Sequence, residues 1–356
     1  MAIDVTVVVP CYNTERYLDQ ALTSAEQNGL AGLEIIVLND GSTDGSLGIM
    51  RAHEGRDRRV RVIDKPNQGY GATVNRGIEE ARGAYVAILE PDDWVRPHAY
   101  DDMFELARSH DMPDVVKAAY WRVMTQESPG RRMPYGYLHG RVRHVGQRMT
   151  LADEPVLIQY HPSVWSCLYS REFLGRTGIR MVEAPGAGWV DNPFAVRTLA
   201  AARSIVYTDE PFYCYREDLA EASSAHMDAL LMARRWHDRQ DALEELGVTD
   251  EGVRRANCIA GLQFVARMLA QGDEARPEVV EAMRGMCERM DARTVSSVDC
   301  VPPHVVATCL GLMGADVAAG PSKLAYARHL AREALWAVRN NGVGFLAHNL
   351  VLAHQR

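Results

Sequence analysis

From residue 3 onward, short uninterrupted apolar runs alternate with segments whose apolar residues recur every three or four positions. The runs occupy residues 5–10, 34–39, 60–64, 85–89 and 114–119, and the helical patterns between them occupy residues 16–28, 44–53, 71–82 and 97–109. Runs such as Ile35-Ile36-Val37-Leu38 lack the polar alternation of a half-exposed strand, so they predict strands covered on both faces. Interleaved helices make this an α/β core of nucleotide-binding type around a parallel sheet. In such sheets ligands gather where strands end and helices begin.

Further along, residues 124–146 carry no clear period, residues 164–169 predict a strand, residues 193–202 a helix, and residues 205–208 and 212–216 a short strand pair. After about residue 226 strand signals fade. Helices are expected over residues 228–246, 251–271, 276–290, 303–317 and 322–340. The chain thus divides into an α/β domain, residues 1–226, and a helical region, residues 227–356.

Composition narrows the function. With 356 residues, 47% of them hydrophobic and 24% charged, the chain suits a soluble globular protein with more than one core. A net charge of −8 argues against a nucleic-acid binder, which needs a cationic field along the phosphate backbone. The seven cysteines are odd in number and form no C-x-x-C pair, so neither a zinc site nor a disulfide framework is expected, and a reducing compartment is. No basic leader with an apolar core opens the sequence, and no apolar stretch approaches the ~20 residues of a membrane span. A cytoplasmic protein is the expectation.

The strand exits hold the candidate chemistry. The run Tyr85-Val86-Ala87-Ile88-Leu89 ends in Glu90-Pro91-Asp92-Asp93, which brings three carboxylates together at a strand tip. Such a cluster suits a hard divalent cation, magnesium or manganese, bound together with substrate phosphates. An ordinary exposed turn with Asp capping the next helix is the alternative. At the second exit, Asp40 precedes Gly41-Ser42-Thr43-Asp44-Gly45-Ser46 and stands as a hydrogen-bond acceptor able to take a uracil imide N–H. Taken alone, that motif is better explained by a plain strand-to-helix turn. The pair Gly69 and Gly71 begins a dinucleotide fingerprint but lacks its third glycine, so a dehydrogenase is not supported.

Taken in order, Val7-Val8-Val9-Pro10-Cys11-Tyr12-Asn13, the Asn39-Asp40-Gly41-Ser42 exit, Asn67-Gln68-Gly69 leading to Asn75-Arg76-Gly77, and Glu90-Pro91-Asp92-Asp93 resemble the family 2 inverting glycosyltransferases of bacterial polysaccharide and glycolipid type. The resemblance implies a GT-A fold, a mostly parallel central sheet flanked by helices. Residues 1–120 would bind the nucleotide-sugar and residues 121–226 would form the acceptor half. By that similarity Pro10 and Tyr12 frame the base, Asp40 pairs with it, and Asp92 and Asp93 touch the ribose and hold the diphosphate through Mn2+ or Mg2+. The donor is usually a UDP-sugar, and the acceptor a hydroxyl of a glycan, glycolipid or cell-surface polysaccharide.

The chain departs from the family pattern in two places. Val74 stands where an arginine is common, which leaves a diphosphate contact to Lys65 or Arg76, and Glu90 replaces the usual first aspartate. The catalytic base expected from the resemblance is Asp191 in Trp189-Val190-Asp191-Asn192-Pro193, with Val190 in place of an acidic neighbour. Helix capping by Asp191 or Asn192 is the structural alternative, and the helix dipole there favours a carboxylate charge in either case. The segment Tyr213-Cys214-Tyr215-Arg216, followed by Ser223 and Ser224, resembles the end of such domains, where Arg216 would grip phosphate or order a closing loop. His226 is a further weak candidate. Trp165 and Trp189 are the candidate acceptor platforms.

Two other classes compete. A sugar-phosphate nucleotidyltransferase would open with a glycine-rich basic loop that Pro10-Cys11-Tyr12-Asn13-Thr14 does not provide, whereas a catalytically inactive nucleotide-sugar binding module is hinted at by Val74, Glu90 and Val190. Residues 321–356 carry Lys323, Arg328, Arg332, Arg339 and Arg356 against Glu333 alone. A basic amphipathic helix of this kind suits peripheral contact with the inner face of a membrane, and packing against the catalytic domain or a second subunit of a homo-oligomer suits it as well.

Overall fold

Interior strands need to be apolar on both faces, and the first two runs meet that requirement throughout. All seven residues of β1 (Val5–Cys11) and all eight of β2 (Leu33–Asp40) are buried in the computed structural model. The structure describes residues 2–123, 134–186, 188–217, 219, 228–272, 275–316, 320 and 322–346. Ser223, Ser224, His226 and Arg356 lie outside the described residues, as do residues 124–133 of the irregular stretch.

The chain separates into two compact units, one of Met1–Glu154 with Pro162–Ala225, the other of Pro155–His161 with His226–Arg356. In the first unit the order is β1, α1 (Glu15–Glu26), β2, α2 (Ser46–Arg56), β3 (Val60–Lys65), α3 (Tyr70–Glu80), β4 (Tyr85–Ile88), β5 (Trp94–Val95), α4 (Ala99–Ser109) and β6 (Val115–Val123). It continues through β7 (Arg148–Met149), β8 (Cys167–Ser170), α5 (Arg171–Thr177), α6 (Asp191–Ala201) and β9 (Ile205–Arg216). The sheet runs β3-β2-β1-β4-β8-β6-β9-β5, with β7 on β9.

Its first half, β3-β2-β1-β4, is wholly parallel, and its second half is mixed, because β8 runs antiparallel to both β4 and β6 while β9 is parallel to β6. The result is a mixed α/β sheet flanked by helices. In the parallel half the register sets Cys11 beside Asn39 and Asp40 beside Lys65, so three strand exits stand in one row. Helix α3 crosses β1 closely: a Cβ on Gly77 would come within 2.2 Å of Val8 Cγ1, which is why a glycine occupies that turn.

Two expectations change in this half. The strand pair at residues 205–216 is one twelve-residue strand whose pairing with β6 shifts between Ala118 and Tyr120, close to the point where Pro211 lacks a donor. The strand expected at residues 164–169 begins as a single 3-10 turn, Val164–Ser166. Lys117 supplies the reason. It is fully buried with no carboxylate among its hydrogen-bond partners, and its Nζ donates to Pro162 O (3.1 Å), Ser163 O (3.1 Å), Ser163 Oγ (2.9 Å) and Ser166 Oγ (3.1 Å). A buried ammonium needs several acceptors, and curling the backbone gathers them; burial also lowers the Lys117 pKa.

The second unit comprises α7 (Ala229–Glu245), α8 (Glu251–Ala270), α9 (Pro277–Glu288), α10 (Ala292–Ser297), α11 (Pro303–Leu312) and α12 (Lys323–Asn341). Four of these starts are fixed by local sequence, since Asp228, Asp250, Asp291 and Ser322 accept hydrogen bonds from backbone N–H groups three residues on. Trp236 is fully buried and donates to Asn257 O (3.1 Å). Arg239 reaches Asn257 Oδ1 (3.0 Å) and Ile158 O (2.7 Å), which ties the 3-10 turn Pro155–Ile158 to the helices. No helix of the described residues is long and apolar enough to cross a membrane.

Candidate functional site

The first two strand exits are laced together by short polar side chains. Asn13, in the left-handed region, donates its N–H to Ser42 Oγ (3.1 Å) and accepts from Thr43 N (2.8 Å). Glu15 and Asp44 exchange similar bonds with the backbone of Gly45 and Glu15. On this frame Pro10 is buried and Tyr12 is 51% exposed, so the tyrosine ring presents a face to solvent beside the sheet edge.

Asp40 is 3% exposed and already well occupied. Lys65 pairs with its Oδ1, Gln68 N donates to the same oxygen (2.9 Å), and Gly69 N donates to Oδ2 (3.0 Å). The carboxylate therefore orders the turn into α3. Gly69 has φ +89°, and a Cβ there would lie 2.3 Å from Ala184 O, so the turn also packs against the segment leading to α6.

At the fourth exit the two aspartates part company. Asp93 is 1% exposed, accepting from Tyr213 OH (2.9 Å) and from the Arg216 backbone N–H (2.7 Å). Burial, with Asp92 and Glu90 adding, drives its pKa well above the carboxylate range. Asp92 is half-buried, its pKa also raised by burial. Glu90 accepts from Tyr70 OH at 2.5 Å, and burial, reinforced by the charges of Asp92 and Asp191, pushes it up to about 8 against the pull of the tyrosine hydrogen bond.

Arg216 is held by contacts with its neighbours. Its Nε donates to Asp92 O (2.7 Å), another nitrogen to Gln20 Oε1 (2.6 Å), and the guanidinium lies over Trp94 (4.5 Å) and Tyr17 (4.9 Å). These contacts tie β9 to the acidic turn.

Asp191 comes to the same neighbourhood from the other half of the sheet. It is the first residue of α6, whose N-cap is Val190 and which shows no side-chain cap bond. Its charge acts on Glu90, Tyr70 and Tyr169. The approach is held by Asn75, 4% exposed, which donates to Met181 O (3.0 Å) and accepts from Met181 N (2.8 Å), and by Tyr70 N–H on Gly186 O (3.0 Å). Just before it Trp189 has φ +52°, an uncommon conformation for a bulky residue, of a kind that clusters at functional turns. Ala187 of the glycine-flanked segment lies outside the described residues.

The remaining candidates are placed as follows. Trp165 is 4% exposed and stacks on Tyr213 (4.2 Å) and Tyr215 (5.1 Å), a core position, whereas Trp189 is half-exposed. Val74 is fully buried, so an arginine side chain would not fit there unchanged, and Arg76 pairs with Glu80 (2.6 Å). Tyr70, the bridge between the acidic turn and the α6 approach, belongs to no motif in the sequence. Only its place in the turn after Asn67-Gln68-Gly69 marks it.

For a divalent cation the donor set is lean. Among the described residues no group of three or more His, Cys, Asp and Glu is arranged to hold a metal ion, and both Asp93 oxygens accept protein hydrogen bonds. Magnesium and manganese commonly take one or two carboxylates and fill the rest with phosphate and water. Asp92, with Glu90 close enough that the Asp92 charge raises its pKa, fits that smaller requirement.

Residues 6–161 match the family described as Glycosyl transferase family 2. The uncharacterized glycosyltransferase EpsJ of Bacillus subtilis is 31% identical over 225 residues, 60% of this chain and 61% of that protein. The putative glycosyltransferase EpsH of the same organism is 32% identical over 228 residues, 61% of each chain. The aligned part thus spans under two thirds of these relatives' length. Among solved structures, S. aureus TarS 1-349, in complex with UDP-GlcNAc, shares the fold with a TM-score of 0.69 at 18% identity, over 87% of this chain and 89% of that one. A fold of the GT-A type, with a mixed sheet, thus carries over residues 6–161 a match to glycosyl transferase family 2, the family that the chain is similar to.

Proposed function

We propose that this protein is a metal-dependent inverting glycosyltransferase that moves a sugar from a nucleotide-sugar, a UDP-sugar in the first instance, to a hydroxyl of a glycan, glycolipid or cell-surface polysaccharide. The observation that carries this reading is geometric: Tyr70 bonds Glu90 of the acidic turn through its hydroxyl and Gly186 O, five residues before Asp191, through its backbone N–H. A donor-side carboxylate and a candidate base thereby border one region. Two facts about similar proteins agree with the substrate class. TarS is known in complex with UDP-GlcNAc, and a hyaluronan synthase of Pasteurella multocida is 31% identical over 134 residues, 37% of this chain and 13% of its own.

In this reading Tyr12 stacks on the base beside Pro10, and Asp40 Oδ2, which accepts one protein hydrogen bond from Gly69 N, takes the imide N–H. Asp92, with Glu90 beside it, would hold the cation; Asp93 and Arg216 keep that turn in place rather than meeting the ligand. A bound cation supplies positive charge against the departing diphosphate. Asp191 removes the acceptor proton as the hydroxyl attacks, and general-base help of this kind is typically worth 10²–10⁴-fold. Trp189 offers the acceptor a flat face.

The test is nucleotide release from a panel of nucleotide-sugars with manganese and candidate acceptors. Asp191→Asn is expected to abolish transfer while leaving nucleotide binding intact, and Asp92→Asn to weaken nucleotide and metal binding together. Full transfer by Asp191→Asn would refute the base assignment. A binding module without turnover, toward which the buried apolar residues Val74 and Val190 lean, would bind nucleotide-sugar in the same assay and release none.

A further inference from the structure

Surface helices ordinarily turn their apolar stripe inward. In α12 the stripe faces out. Leu324 and Leu335 are 60% and 69% exposed, Ala327 and Ala331 are exposed with them, and beyond the helix Val343 is 69% exposed. At 3.6 residues per turn, Leu324, Ala327, Ala331, Leu335 and Val338 fall in one sector. The opposite side carries Ala337, the helix's buried residue, with Tyr326 and Trp336 half-buried.

Basic residues border the stripe. Arg328, Arg332 and Arg339 lie along one edge and Lys323 on the other, all exposed, while Glu333, the one acid of the helix, is half-buried on the far side. Arg332 shares a nitrogen with Asp299 (3.1 Å). This positive strip occurs in a chain of net charge −8, so its sign is local to the helix. Exposed leucines rimmed by cations are the composition that settles into an anionic bilayer surface, side chains in the acyl boundary and cations at the phosphates. A second copy of the same face would bring like charges together, which disfavours self-association.

We propose that the outer face of α12 docks on an anionic phospholipid surface. The contact holds the protein peripherally and is independent of the transferase reading above. Full-length protein is expected to sediment with vesicles of phosphatidylcholine containing phosphatidylglycerol, to stay in solution with phosphatidylcholine alone, and to be released by salt. Loss of one basic residue should lower the partition coefficient roughly fivefold, so Arg328→Glu with Arg339→Glu should bind far less. Leu324→Asp with Leu335→Asp, at positions already exposed, should lose binding with an unchanged melting temperature. Equal sedimentation of that variant and the parent would overturn the proposal. So would parent protein that ignores anionic vesicles but dimerises by light scattering, with the dimer lost in the leucine variant, since the occupant would then be a second copy.

Discussion

At Asp93 each carboxylate oxygen accepts from one protein donor, Tyr213 OH and the Arg216 backbone, and the residue is buried, while Asp92 beside it is half-buried. Neighbours in the chain, they differ in what their removal should cost. Asp93→Ala leaves two buried donors unpaired, each worth ~1–3 kcal/mol, and should lower the melting temperature of the protein by several degrees. Asp92→Asn removes a charge that burial already disfavours, so thermal unfolding should show it as stable as the parent or more so, with loss only in nucleotide binding. A reversed order of stabilities would return Asp93 to the ligand side. The sequence could place Glu90, Asp92 and Asp93 at one strand tip; which carboxylate turned inward depended on Tyr213 and Arg216, more than a hundred positions away and silent until β9 is laid beside the turn.

Among elements, α3 has the widest influence on the site. Its start is ordered by Asp40, its Gly77 lets it lie close on β1, and its Asn75 holds Met181 by both backbone groups. Asn75→Ala should therefore act at a distance. Losing the clamp costs about 2–3 kcal/mol of local stability and loosens the approach to Asp191. Steady-state kinetics should show kcat falling while the KM for donor changes little, whereas an unchanged kcat would mean that the clamp serves stability alone. The strands and most helix bounds were readable from periodicity and capping residues, because those signals are local. The 3-10 turn at Val164–Ser166 was not, because a lysine on β6 imposes it.

For the whole molecule, the lean donor set has a direct consequence. A cation held by Asp92 and Glu90 with ligand phosphates would contribute little to the fold. Chelator treatment should abolish turnover and weaken nucleotide binding while far-UV circular dichroism and the melting temperature stay as they were, and added manganese should restore activity. Unfolding by chelator would contradict this arrangement. The sequence by itself determined the α/β and helical parts, the row of polar strand exits and the basic character of α12, since each follows from periodicity or composition within a short window. Tertiary structure alone decided that the segment leading to α6 lies beside the acidic turn, that Tyr70 bridges the two, that Asp93 is buried against Tyr213 and the Arg216 backbone, and that the leucines of α12 are exposed. Those outcomes rest on which residues share space after strands distant in sequence pair, and on how burial then shifts the balance between charge and hydrogen bonding.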